Sequence, residues 1–125
     1  MVEWIVEFHD EFEPEFNALS RDVQDGLLAA AKALQSFGPF AGRPHVDSLA
    51  GSRYANMKEL RFKGHDGNEQ WRVAFAFNPA RKAILLVAGD KQGKNQAQFY
   101  KGLIAKADAR FGTHLQTIGN PRGGS

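Results

Sequence analysis

The chain contains no cysteine among its 125 residues, which excludes a disulfide scaffold, thiol catalysis and cysteine-ligated zinc. It also has no apolar run near the roughly 20 residues that a membrane-spanning helix needs. The apolar stretch at residues 2–8 is interrupted by Glu3 and Glu7, so we do not interpret it as a signal peptide. These absences predict a soluble cytoplasmic protein that does not associate with membranes.

The small net charge of +2 hides an uneven distribution along the chain. Residues 1–31 carry eight acidic side chains and a single arginine, whereas residues 32–125 carry fifteen basic side chains and six acidic ones. A basic body with an acidic leader indicates an anionic partner, and nucleic acid is the leading candidate. The alternative is that a solvated surface is merely uneven in charge.

The first third of the chain predicts one strand and two helices. Residues 2–8 alternate apolar and polar side chains, as a half-buried strand does. Two segments with helical spacing of apolar residues follow, at about 12–19 and 21–37, and Ser20 between them is a good N-cap. They predict a helical hairpin that ends at the helix-breaking pair Gly38-Pro39.

The remainder of the chain predicts a loop, three strands and a last helix. Residues 38–53 are rich in Gly and Pro, and unstructured loops of this length are often functional. Strands are predicted at about 55–62, 70–77 and 82–88, with short connections that favour an antiparallel meander. A helix is predicted over 95–111, after which the chain is expected to fray into a disordered tail.

The order β-αα-βββ-α predicts an α+β domain. We expect a small, twisted, mostly antiparallel sheet with an N-terminal helical hairpin and a C-terminal helix. We also expect the helices to pack on one face of this sheet and to leave the other face open.

Alternation along the predicted strands places charged side chains on that open face. Trp71, Val73 and Phe75 mark the core side of their strand, so Arg72 points away from the core. The small Ala74 and Ala76 lie on the same side as Arg72 and predict a shallow, exposed floor there. If the neighbouring strand pairs with its apolar side in the same direction, Glu59 and Arg61 emerge beside Arg72. A guanidinium group binds phosphate bidentately and stays charged at any physiological pH, so this face is suited to an anion. The alternative is an internal ion pair that keeps an exposed sheet face soluble.

Three segments taken together resemble the phage-derived, HigB-like branch of the RelE/ParE toxin superfamily. They are GRPHVDSLAGSRYANMKELRF, WRVAFAFNPARKAILLVAGDK and QFYKGLIAKADARF, which occur in the order and spacing of that family. The resemblance covers about residues 2–115, so we assign residues 1–115 to a RelE/HigB-like toxin domain and residues 116–125 to a flexible tail. It implies a RelE-like fold and a small endoribonuclease that cleaves messenger RNA, typically on the ribosome.

The resemblance also implies roles for individual residues. Arg72 matches the strand arginine that stabilises the phosphate, Arg61 matches the arginine of the preceding strand, and Lys91 falls near a later cationic position. Tyr100 matches a tyrosine that transfers a proton or stacks on a base. Glu59 stands where RelE has a lysine proposed as part of its catalytic base, so Glu59 would serve as the base itself or pair with Arg61.

Further residues are candidates for binding the substrate, each with an ordinary surface or turn role as the alternative. Lys58 is adjacent to Glu59 but faces the other side of the strand unless a bulge turns it. His65, on a turn, is a candidate acid, and His45 is a candidate for stacking on a base. The remaining candidates for phosphate or base contacts are Arg43, Arg53, Tyr54, Arg81, Lys82 and Lys94.

No cofactor and no metal are expected. The four histidines are scattered through the sequence, and only His65-Asp66 brings a histidine and a carboxylate together. RNA cleavage without a metal needs a base for the 2′-OH, cations for the charged phosphorane and an acid for the leaving 5′ oxygen. The resemblance implies such a metal-free mechanism.

Rival functions remain open from the sequence. A ParE-like toxin that poisons DNA gyrase, a non-catalytic nucleic-acid-binding phage accessory protein and an inactive toxin that keeps only its antitoxin-binding surface are the alternatives. The expected partner is a cognate antitoxin, in HigB-like systems usually a helix-turn-helix protein of the HigA type. A free strand edge at residues 2–8, or the acidic residues 7–15, would provide its contact surface.

Overall fold

The computed structural model describes residues 3–119, which form five strands and three α-helices. The strands are β1 (Ile5–Phe8), β2 (Val46–Ser48), β3 (Lys58–Gly64), β4 (Glu69–Phe77) and β5 (Lys82–Asp90). The helices are α1 (Phe12–Asn17), α2 (Arg21–Phe37) and α3 (Gln96–Gly119). Short 3-10 turns occupy Gly38–Phe40 and His65–Gly67.

The strands form one mixed sheet in the order β1-β5-β4-β3-β2. β1 is parallel to β5, and the other three pairings are antiparallel. The predicted α+β class, the helical hairpin and the antiparallel meander of β3, β4 and β5 are therefore confirmed. β1 lies at one edge of the sheet, as the proposed docking edge at residues 2–8 requires, although Val2 lies outside the described residues.

Strand β2 lies inside the segment predicted to be a loop. It is only three residues long and pairs antiparallel with the start of β3, Val46 opposite Leu60 and Ser48 opposite Lys58. So short a strand has no room for the alternation that would reveal it in a sequence, and the surrounding Gly and Pro residues favour a loop. The prediction of an unstructured 38–53 segment was wrong at this point.

The helices lie on both faces of the sheet. α1 and α2 cover one face, where Phe12, Leu27 and Leu34 pack against core residues of β3, β4 and β5. α3 covers the opposite face, where Leu103, Ala107 and Phe111 pack in a second core cluster with small and aliphatic residues of the strands.

The predicted open face is therefore wrong. Ala74 and Ala76, which the sequence analysis placed on a shallow exposed floor, are fully buried beneath α3. Small side chains at these positions allow the helix to approach the sheet closely, and Gly89 of β5 has the same effect because a Cβ there would lie 2.9 Å from the Phe99 ring.

A buried arginine ties α3 to the rest of the domain. Arg110 is only 7 % exposed, and its guanidinium group donates hydrogen bonds to both carboxylate oxygens of Glu15 in α1. It also donates to the carbonyl of Leu86 at 2.7 Å. Leu86 is the extra residue of an irregularity in the β4–β5 register, where Ala74 pairs with Val87 and Phe75 with Leu85. Arg110 thus donates a hydrogen bond to the carbonyl of the bulged residue, which has no partner residue in the β4–β5 register.

Helix α3 continues to Gly119, eight residues beyond Phe111, where the apolar pattern ended. Residues 112–119 are therefore helical rather than frayed, and residues 120–125 lie outside the described part of the chain. The assignment of a domain to residues 1–115 and a tail to residues 116–125 stays a prediction.

Two glycines give opposite expectations for stability. Gly38 caps α2 with φ of 53°, and a Cβ there would overlap the Trp4 indole, so Gly38→Ala should lower the free energy of unfolding by more than about 1 kcal/mol. Gly102 lies within α3 with open space around its Cβ position, so Gly102→Ala should raise it by about 0.5–1 kcal/mol. Urea unfolding of both variants measures these changes. Equal changes in the free energy of unfolding for the two variants would contradict the different roles given to Gly38 and Gly102.

Candidate active site

The centre of the candidate site is the carboxylate of Glu59 on β3, which is 3 % exposed. It accepts a hydrogen bond from the Tyr100 hydroxyl at 2.8 Å and another from Arg61 Nε at 2.9 Å. Arg72 Nε lies 3.9 Å from the same carboxylate. Arg61 and Arg72 are directly opposite one another in the β3–β4 register, so the sheet itself sets their spacing.

Arg72 is held in an unusual way for a buried cation. Its side chain is 9 % exposed, Nη1 donates to the Trp71 carbonyl at 2.9 Å, and the fully buried Nε has no hydrogen-bond partner within residues 3–119. Leaving a charged donor unpaired in the interior costs free energy. An exception of this kind in a native fold is typical of a site that holds a further group.

A second carboxylate lies on the outer side of Arg61. Asp47 of β2 accepts a hydrogen bond from Arg61 Nη2 at 3.3 Å and another from Arg43 at 2.8 Å. A hydrogen bond from the Ser48 amide, followed by the Arg43 contact, lowers the pKa of Asp47. Burial acts to lower the pKa of Arg61, but the hydrogen bond and charge of Glu59 and the charge of Asp47 outweigh it and raise this pKa.

Lys91 directly follows β5 and completes a group of three cations. Its backbone amide donates to the Gln70 carbonyl at 2.9 Å, and its ammonium group lies 6.0 Å from the centre of the Tyr100 ring. Burial and then the positive charge of Arg72 lower the pKa of Lys91. This lysine therefore gives up its proton more readily than an exposed lysine does.

Tyr100 enters the site from the first turns of α3. Burial is the main cause that raises the pKa of its hydroxyl, and the hydrogen bond to Glu59 acts in the same direction. The phenol is therefore protonated at neutral pH and donates its proton to Glu59. We call the set of Glu59, Arg61, Arg72, Lys91 and Tyr100 the cationic cluster.

All five residues predicted to be catalytic thus lie together in the cationic cluster. The predicted position of Glu59, Arg61 and Arg72 on one face is confirmed, although α3 covers much of that face. Lys58 alternates with Glu59 along β3 and faces the helical hairpin instead.

Several predicted substrate contacts lie away from the cluster. Arg81 lies 4.7 Å from the Trp4 ring and Lys82 is paired with Glu7 at 3.2 Å, at the opposite end of the sheet from Arg72. Because Arg72 pairs with Gly89, seven residues along β5 from Lys82, the separation is ~23 Å. Arg53 is exposed, and its backbone amide donates to Asp108.

The remaining candidates have other contacts. Tyr54 packs edge-on against Phe111 with 5.0 Å between ring centres, so it supports α3 rather than standing free to stack on a base. His65 lies on the β3–β4 turn, 3.6 Å from Glu69. Lys94 lies between β5 and α3 with its ammonium group 5.9 Å from the Phe99 ring.

Sequence reasoning missed Asp47 and the position of His45. The backbone carbonyl of His45 accepts the Arg61 amide proton at 2.8 Å, and Asp47 holds the Arg61 side chain. The only available signal was the position of both residues in a long Gly- and Pro-rich segment, which indicates function without naming residues.

Residues 3–119 contain neither a metal-binding cluster nor a membrane-spanning helix. No group of three His, Asp or Glu side chains converges there in a way that would hold a metal ion. None of the described helices is long and apolar enough to cross a membrane.

Comparison with known proteins assigns the chain to a family. Residues 14–112 match the model of the family described as "Phage derived protein Gp49-like (DUF891)", and the chain belongs to this family. The chain is 46 % identical over 99 residues to "Putative toxin HigB2" of Mycobacterium tuberculosis and 45 % identical over 95 residues to "Putative toxin HigB3" of the same organism.

These alignments differ in how much of each relative they cover. They include 79 % and 76 % of this chain, but 48 % of the length of HigB2 and 79 % of that of HigB3. The chain thus spans about half the length of HigB2. No solved structure shows significant similarity to the chain. The expected kinship with phage-derived, HigB-like proteins is confirmed.

The burial of Glu59 leads to a stability prediction. Glu59→Gln removes the one buried negative charge among the cations of the cluster, and breaking a buried ion pair on one side is strongly destabilising, so unfolding should become easier by about 3 kcal/mol. Glu13→Gln is the matched control, because Glu13 is exposed in α1 and should change stability by no more than about 0.5 kcal/mol. Urea denaturation measures both, and similar values for the two would refute a structural role for Glu59.

Proposed function

We propose that the protein is the toxin of a toxin-antitoxin pair and a metal-independent endoribonuclease that cleaves messenger RNA, with a fold of the RelE type. The observation that carries the proposal is the Tyr100–Glu59 hydrogen bond of 2.8 Å within a group of three cations. This arrangement offers a path for a proton next to positive charge that suits a phosphorane. The HigB names of the two relatives support the toxin role.

The first step of the proposed reaction uses Tyr100 and Glu59 as a relay. Glu59 is too deeply buried to meet a substrate directly, whereas the Tyr100 ring is only partly buried. The 2′-oxygen attacks the adjacent phosphorus as its proton passes to the Tyr100 oxygen and the phenolic proton passes to Glu59. Tyr100 is unchanged at the end of this transfer, and Glu59 holds the proton.

The second step uses the cations. The guanidinium groups of Arg72 and Arg61, both of which line the same cleft, stabilise the doubly charged phosphorane. The bond between phosphorus and the 5′ oxygen breaks, and the Lys91 ammonium group gives that oxygen a proton. The products are a 2′,3′-cyclic phosphate and a 5′-hydroxyl, and the proton on Glu59 returns to Lys91 through solvent.

The partners and place of action follow from this role. The cognate antitoxin, a helix-turn-helix protein of the HigA type, would neutralise the toxin, and the cytoplasmic ribosome would present the messenger. The basic side chains beyond residue 31 provide the charge for RNA binding. A gyrase-poisoning toxin or a non-catalytic nucleic-acid-binding protein would have no need for a Tyr–Glu relay beside a lysine of lowered pKa.

The decisive experiment compares the two tyrosines of the chain. We expect induction of the wild-type protein in bacteria to arrest growth and to create new 5′ ends in a reporter messenger, detected by primer extension. Tyr100→Phe deletes the relay oxygen alone and should lower cleavage at least 100-fold. Tyr54→Phe is the matched control and should keep full activity, since Tyr54 lies outside the cluster.

Arginine variants extend this test. Arg72→Lys keeps the positive charge but loses the planar guanidinium group that binds phosphate bidentately, so it should reduce cleavage strongly. Arg53→Lys, at an exposed position, should not reduce cleavage. Circular dichroism establishes that each variant is folded. Growth arrest with an intact messenger would contradict the ribonuclease activity and would indicate a toxin with another target, such as gyrase. Absence of growth arrest would indicate a binding protein or an inactive toxin.

The lowered pKa of Lys91 predicts a pH dependence. Lys91 must be protonated to act as the acid, and because its pKa is below the ordinary 10.5 it loses that proton at a lower pH. Cleavage of an RNA oligonucleotide should therefore decline on the alkaline side before pH 10.5 is reached. Lys91→Arg should shift this decline to higher pH while lowering the maximum rate, and an unchanged alkaline limb would remove Lys91 from the acid role.

A further inference from the structure

A cleft of about 590 Å³ runs around the edge of β3 between α2 and the cationic cluster. Its helical wall consists of Gly26, Ala29, Ala30 and Ala33, all on α2. Its other side is formed by residues of β3 and β4 and by the segment that leads into β2. The volume lies within the range of sites that bind small organic ligands.

The cleft exists because β2 is shorter than the strand beside it. β2 pairs with β3 only as far as Leu60, and the last contact is the Arg61 amide to the His45 carbonyl. Within residues 3–119, no strand pairs with the outer edge of β3 from Phe62 to Gly64. This short edge faces the cleft, and it is too short to hold an added strand of ordinary length.

The walls of the cleft are flat. Gly26 allows the Phe62 ring to lie directly against α2, because a Cβ at that position would be 2.8 Å from the ring. Phe62 in turn is stacked on Trp71, with 6.2 Å between ring centres and 8° between planes. Ala29 and Ala33 extend the smooth wall toward solvent. Such a surface fits a planar ring, and bases bound by proteins commonly lie against apolar and aromatic groups.

The charge of the residues that line the cleft favours an anionic ligand. Its polar lining comprises Arg61, Lys63, Arg72, His45 and Gln70, and none of the acidic residues in the described part of the chain lines it. Arg61 and Arg72 also belong to the cationic cluster, so the cleft and the proposed catalytic centre are continuous. If the phosphate of a nucleotide binds Arg61 and Arg72, the adjacent base lies at the mouth of the cleft.

We propose that this cleft binds one nucleotide of single-stranded RNA adjacent to the cleaved phosphate, an inference that rests on the proposed ribonuclease function. The base lies on the apolar wall formed by Ala29 and Ala33, beside the Phe62 ring, and Lys63 contacts the flanking phosphate. The backbone of Lys63 lies on the edge of β3 that no strand within residues 3–119 pairs with, so it is available to hydrogen-bond the edge of the base. A peptide of the antitoxin is the competing occupant, but the short edge and the cationic lining favour RNA.

Substitutions that fill the cleft test the proposal. Ala29→Leu and Ala33→Leu occupy the helical wall without touching the cationic cluster, and Ala105→Leu on an exposed part of α3 is the matched control. The probe is a fluorescently labelled, mixed-sequence oligonucleotide with 2′-O-methyl groups throughout, which cannot be cleaved by attack of a 2′-OH. We expect the two cleft variants to bind it at least tenfold more weakly, and the control to bind as the wild type does.

Amide chemical shifts locate the bound nucleotide directly. Addition of the same oligonucleotide to the isotope-labelled wild-type protein should change the amide chemical shifts of Gly26, Ala29 and Lys63. Normal binding by both cleft variants, or unmoved amides in the cleft while the wild type cleaves RNA, would overturn this inference alone. Shifts produced by the antitoxin but not by RNA would identify a protein interface and would also overturn it. Failure of the wild type to bind or cleave RNA would overturn the proposed function itself.

Discussion

A carboxylate buried among cations is the constraint on which the rest of this structure depends. Glu59 holds the guanidinium group of Arg61 and the hydroxyl of Tyr100 by direct hydrogen bonds, and it partly neutralises Arg72. Without it, positive groups on two adjacent strands and a helix would repel one another in a region with little water. This buried carboxylate therefore allows Arg61, Arg72 and Lys91 to lie close together, and it does so without a hydrogen bond to Arg72 Nε, which has no partner in the described part of the chain.

The part of this site that lies within the sheet could be predicted from the sequence. Alternation along β3 and β4 places Glu59, Arg61 and Arg72 on one face, because a strand of two-residue period leaves no other choice once the core side is known. The contact from Tyr100 could not be derived in that way. It joins residues 41 positions apart, and its existence depends on the face of the sheet that α3 covers. Only the family resemblance indicated Tyr100.

The main error about the fold has a physical cause. Ala74 and Ala76 on β4 suggested an open floor, since small side chains beside charged ones are common on exposed faces. In the structure they are fully buried and admit α3 at close range, together with Ala107 on the helix. A small residue in a strand is compatible with both arrangements, and the sequence of the strand alone does not distinguish them. A different cause hid β2 and, with it, the cleft along the edge of β3, because three residues are too few to show the alternation of a strand.

Helix α3 contributes the last member of the cluster and is fixed by Arg110, whose partner Glu15 belongs to the first helix of the chain. The position of α3 after all five strands in the sequence sets the order in which the site can be assembled during translation. All five strands have been synthesised before the first residue of α3 is added, yet the phenol and the link to Glu15 are still missing at that stage. A translation product that stopped before residue 96 would contain the arginines without Tyr100, so the complete site arises only after α3 has been synthesised.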